Sequence, residues 1–66
     1  MTKAELTKEI EKKGKNIIKS KDKIICYPYS LKCKGKKFTI TKDKKVLNSS
    51  NDENEICLEF LSLVNE

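Results

Sequence analysis

Three cysteines, Cys26, Cys33 and Cys57, are the strongest potential nucleophiles and soft metal ligands in this chain, and no histidine accompanies them. A thiol becomes a catalytic thiolate near neutral pH when an imidazole or a comparable base takes its proton. That partner is missing. Structural zinc takes about four ligands at close, paired spacing. Cys26 and Cys33 stand seven residues apart and Cys57 is remote, which does not supply them. An odd count also argues against a disulfide framework, so the cysteines are expected to be small buried apolar residues. The two glycines, Gly14 and Gly35, do not open a helix after a strand, so no phosphate-cradling loop is present. These residues point away from catalysis, metal and cofactor. A non-enzymatic binding protein is expected.

Charge is the remaining chemistry. Residues 1–45 hold all 15 basic residues, every one a lysine, against five acids, a balance of +10. Residues 46–66 hold the other five acids and no base, a balance of −5, which recovers the net +5. Six lysines fall in two short turns, Lys34, Lys36 and Lys37, then Lys42, Lys44 and Lys45. Drawn together at the ends of neighbouring strands, they could neutralise phosphates and give salt-dependent affinity for nucleic acid. Asp52, Glu53, Glu55 and Glu59 form an opposing acidic segment. Those ten residues are the candidate partner-binding positions. The bland alternatives are a solvated helix face and lysines that keep sheet edges from pairing.

The elements that must position these residues follow from spacing. Thr2-Lys3-Ala4-Glu5 has the form of a capping box, Leu6 and Ile10 share a helical face, and Gly14 suits a left-handed helix stop, predicting a helix over 3–13. Asn16–Lys19 predicts a short first strand, with helix running past Gly14 as the alternative. From Lys23 the pattern alternates. Ile25, Tyr27, Tyr29, Leu31 and Cys33 share one side of an extended chain and are expected inward, which makes Tyr27 and Tyr29 core residues and not base-stacking ones. Pro28 marks that strand as an edge or as bulged. Phe38 and Ile40 mark the next strand, and Val46–Asn48 a short last one. Ser50-Asn51-Asp52-Glu53 is read as a second capping box, opening a helix over 52–64 with Ile56, Phe60, Leu63 and Val64 as its stripe.

The expected fold is therefore α+β, one domain over residues 1–66. It has an N-terminal helix, a three- or four-stranded antiparallel meander, and a C-terminal helix packed on one sheet face. Its expected core is Leu6, Ile10, Ile25, Tyr27, Leu31, Phe38, Ile40, Val46, Ile56, Phe60 and Leu63. No apolar run approaches the length of a membrane span and no signal sequence opens the chain, so a cytoplasmic protein is expected.

Two resemblances bear on function. The order helix, three strands, helix is similar to that of double-stranded-RNA-binding domains. That family's binding helix opens with lysines, whereas the matching segment here, Asn51–Glu55, is acidic and repels phosphate. The layout Glu5-Leu6, Glu9-Ile10, Lys13, then Ser50, Asn54-Glu55-Ile56, Phe60-Leu61-Ser62 resembles small phage-borne anti-CRISPR proteins of αβββα type. That resemblance implies an inhibitor of a host nuclease acting by surface occlusion in the host cytoplasm, with Asp52, Glu53, Glu55 and Glu59 as a partial phosphate mimic. The partner is then a host protein or ribonucleoprotein. The basic front and acidic helix also allow a homodimer.

Overall fold

The computed structural model describes residues 1–65. Its elements run α1 (Lys3–Lys12), β1 (Ile18–Lys19), β2 (Lys23–Cys26), β3 (Tyr29–Lys34), β4 (Lys37–Lys42), β5 (Lys45–Ser50) and α2 (Glu53–Val64). The five strands form one antiparallel sheet in chain order, a meander with one strand more than the larger number expected. Both helices lie against the same sheet face, and α2 meets β3, β4, β5 and α1.

Helix α1 starts where its cap predicts. Thr2 accepts a hydrogen bond from the Glu5 amide at 3.3 Å, and the Glu5 carboxylate accepts one from the Thr2 amide at 3.2 Å. Leu6 and Ile10 are buried, and Thr7 beside them is buried with its hydroxyl donating to the Lys3 carbonyl at 2.8 Å. Gly14 then takes φ +77°, the left-handed conformation that ends a helix at least cost for a residue without Cβ.

The expected long strand over 23–33 is two strands. Cys26 pairs with Tyr29, so Tyr27 and Pro28 are a two-residue turn with a cis peptide between them. The chain folds back there, and the parity before Pro28 no longer continues after it. Ile24 and Cys26, with Leu31, face the helices. Ile25 is instead half-buried on the other face, and Tyr27 stands 85% exposed. Two of the expected core residues are thus corrected by one turn.

A second correction comes from a bulge. Ile40 pairs with Asn48 but Thr41 pairs with Val46, which leaves Leu47 as an extra residue in β5. Val46 thereby sits across from Thr41 on the uncovered face and is 61% exposed, not core. The turns flanking β4 are also of two residues. Asp43 and Lys44 both take positive φ, 49° and 71°, the hairpin geometry whose twist matches that of the strands.

Helix α2 is capped by Asp52, whose carboxylate accepts from the Glu55 amide at 3.3 Å. The expected cap, Ser50, is the last residue of β5, and its hydroxyl accepts from the Asp52 amide at 3.0 Å. The buried stripe is Ile56, Cys57, Phe60 and Val64, while Leu63 is only half-buried at its margin. These side chains join Leu6, Ile10, Ile24, Cys26, Leu31, Phe38 and Ile40 in one hydrophobic cluster.

Candidate functional site

Packing both helices on one face leaves the other face of the sheet bare. Cross-strand partners in a sheet point to the same side, so the register defines that face residue by residue. One row across it is Ile18, Ile25, Ser30, Thr41 and Val46. The next row is Lys23, Lys32, Thr39 and Ser49, and beyond it stand Lys34 and Lys37. The hydroxyls of Ser30 and Thr41 hydrogen-bond each other across the strands. The surface thus carries four ammonium groups, four hydroxyls and a short apolar strip.

Its charge is one-sided. The five strands together contain seven lysines and, among the described residues, no acid. Lys23 lies directly opposite Lys32, and Lys34 directly opposite Lys37. Like charges paired this way oppose sheet formation, so nothing in the fold itself calls for them.

The six lysines of the two turns do not converge. Turns at either end of β4 lie about 17 Å apart by the rise of a six-residue strand. Lys34, Lys36 and Lys37 hold one end, and Lys42, Lys44 and Lys45 the other. Within the second triplet, Lys42 and Lys45 are on the helix-bearing side, and the Lys42 Nζ lies 5.4 Å from the centre of the Tyr29 ring. What joins Lys34 and Lys37 on the bare face is Lys23 and Lys32, which the turn-based reading missed. The signal was legible, since Lys32 and Lys34 alternate with Leu31 and Cys33.

The acidic segment is largely occupied by the fold. Asp52 caps α2, Glu53 accepts from the Lys3 amide at 3.0 Å, and Glu59 accepts from the Asn48 side-chain amide at 2.8 Å. Glu55 is exposed and gives α2 a second first-turn acid, favourable at the positive end of the helix dipole. Three of the four carboxylates therefore each accept a hydrogen bond within the fold, while Asp52, Glu55 and Glu59 remain exposed.

Cys26 and Cys33 lie on the helix-bearing side of the sheet and Cys57 on the inward side of α2. Cys26 and Cys57 are buried, and the Cys33 thiol donates to the Gly35 carbonyl at 3.6 Å. Burial, reinforced by the nearby Glu53 carboxylate, pushes the Cys57 thiol up from 9.0 to about 11. The folded thiol keeps its proton to about 11 while the unfolded one loses it near 9.0, so the unfolded chain binds fewer protons in that window. Stability is expected to fall as pH rises through it. Urea titrations at about pH 8 and about pH 10.5 should show a smaller loss for Cys57→Ala than for the parent. Equal losses would remove Cys57 as the cause. Among the described residues no group of three or more His, Cys, Asp or Glu side chains could hold a metal ion. No described helix is long and apolar enough to cross a membrane.

No protein-family model matches the chain, and no curated protein or solved structure is significantly similar to it, so the reading of function rests on the residues of this surface.

Proposed function

We propose that this chain is a non-enzymatic binding protein whose bare sheet face engages the phosphate backbone of nucleic acid. The observation that carries the reading is the pairing of Lys23 with Lys32 and Lys34 with Lys37 on a face without acids. Alternate residues of a strand stand about 7 Å apart, so the ammonium groups form a stepped array across β2, β3 and β4 with hydroxyl donors beside it. Lysine binds phosphate as a point charge without base readout, which suits backbone contact and little sequence preference.

The alternative, an inhibitor of a host factor that mimics phosphate through α2, draws less support, because Asp52, Glu53 and Glu59 already serve the fold. Occlusion of a host nucleoprotein through its nucleic acid is the form of that reading that the lysine face would serve.

The test is a salt titration of binding to a labelled single-stranded oligonucleotide by fluorescence anisotropy. Four lysines each neutralising one phosphate give a slope of log K against log salt of about −3. Replacing Lys32→Glu and Lys34→Glu together is expected to abolish binding at moderate salt. Affinity that ignores salt, or survives this double change, would refute the proposal.

A further inference from the structure

We infer that the cleft beside the Tyr27–Pro28 turn receives an unpaired base, which makes the nucleic acid on the sheet face single-stranded. The inference rests on the proposed phosphate binding and adds the class of ligand.

Tyr27 is 85% exposed, the most exposed large apolar side chain among the described residues. It stands at the tip of a two-residue turn, at the end of the sheet opposite Lys34 and Lys37. Beside it opens a cavity of about 650 Å³, lined in part by Lys15, Asn16, Tyr27, Pro28, Tyr29 and Leu63. That volume is within the range of small-ligand sites and exceeds what one base fills.

The lining has the chemistry of base recognition. The exposed Tyr27 ring and Pro28 offer flat apolar faces beside the half-buried Tyr29, and stacking on such a ring tolerates any base because each has a π-face. Asn16, exposed at the rim, carries both an amide donor and a carbonyl acceptor for a base edge. Lys15 stands at the rim, and Lys42 over the Tyr29 ring adds a second cation near the cleft. A cation at that place suits the phosphate attached to a base inside the cleft.

Entry of a base into the cleft sets the strandedness. From Lys34 to the Tyr27–Pro28 turn, β3 carries Lys34, Lys32 and Ser30 in sequence along the bare face. The cleft opens on the helix-bearing side, where Cys26 and Tyr29 lie and α2 contributes Leu63, so a strand over these residues reaches it by passing around the exposed Tyr27 at the end of the sheet. A base can enter only when it is free of its partner and of its stacked neighbours, which duplex does not allow without unpairing.

The experiment compares four probes on the intact chain by fluorescence anisotropy at one salt concentration. They are a thymidine oligonucleotide of about twelve nucleotides, its uridine RNA counterpart, an abasic phosphodiester chain of the same length, and a duplex. The parent is expected to prefer the thymidine strand over the abasic chain roughly ten-fold. Tyr27→Ala should erase that preference and leave abasic binding unchanged, while Tyr27→Phe, which keeps the ring, should retain it. Because Tyr27 is outside the core, both variants are expected to fold, with far-ultraviolet dichroism as the check. The RNA arm separates ribose from deoxyribose ligands, and a preference over the abasic chain in either supports the inference. Retention of the preference in Tyr27→Ala, or duplex binding as tight as single-strand binding, would overturn it while leaving the lysine face in place. Failure of all four probes to bind would overturn the phosphate reading and this inference together.

Discussion

Phe60→Ala is expected to remove most of the chain's stability. Phe60 is fully buried on the inward stripe of α2, in the cluster that joins both helices to β2, β3 and β4. Truncating a buried phenylalanine to alanine costs about 3–5 kcal/mol, the transfer of the ring plus the cavity it leaves. A chain of 66 residues has a total of about 3–10 kcal/mol at the usual stability per residue. The loss is therefore of the same size as the whole. In thermal or urea unfolding followed by dichroism, the variant should show a transition far below the parent's, or none. Leu58→Ala on the same helix is the control, because Leu58 is 50% exposed and should shift the midpoint little. A loss below about 1 kcal/mol for Phe60→Ala would mean that the core is assembled otherwise.

The sequence made the helices and the meander legible because their signals are local. Thr2 and Glu5 form the predicted cap, Gly14 takes the predicted positive φ, and Leu6, Ile10, Ile56 and Phe60 face inward at the predicted spacing. What local signals could not give is register. Pro28 predicts an edge or a bulge within one strand, whereas pairing of Cys26 with Tyr29 makes it part of a turn. That choice decides whether Ile24 or Ile25 is core, and it moves Tyr27 from the interior to the surface. The bulge at Leu47 does the same to Val46, since one extra residue exchanges the faces of a strand.

The candidate site was obscured for the same reason. Lysines adjacent in sequence, at the two hairpin turns, lie at opposite ends of the sheet, whereas Lys23, Lys32, Lys34 and Lys37, on three strands, share one face. Clustering in sequence was the wrong measure of proximity; alternation within each strand was the right one. The acidic segment differs in another way. Its charges are local in sequence and lie on one helix, but Asp52, Glu53 and Glu59 also accept from backbone or side-chain donors, a role that sequence spacing does not reveal for Glu53 and Glu59.

Replacing Lys32→Glu and Lys34→Glu together is expected to stabilise the fold while destroying binding. In the parent, Lys23 faces Lys32 and Lys34 faces Lys37. The double change converts both repulsive pairs into attractive ones, Lys23 with a new carboxylate at 32 and Lys37 with one at 34. Cross-strand charge pairs are worth about 0.2–1 kcal/mol each, and exposure puts these at the low end. Together the two are expected to raise stability by about 0.5 kcal/mol at low ionic strength and by less as salt screens them. Urea unfolding at two salt concentrations reads the gain, and the anisotropy titration reads the loss of affinity. The opposite signs matter. A solubilising lysine face could exchange two charges without loss of a ligand, whereas a phosphate-binding face could not. Stability that rises while affinity vanishes is what a lysine face that binds an anionic partner at some cost to the sheet predicts. Stability that falls with this double change would show that the lysine stems are needed where they stand, and would return the face to a structural role.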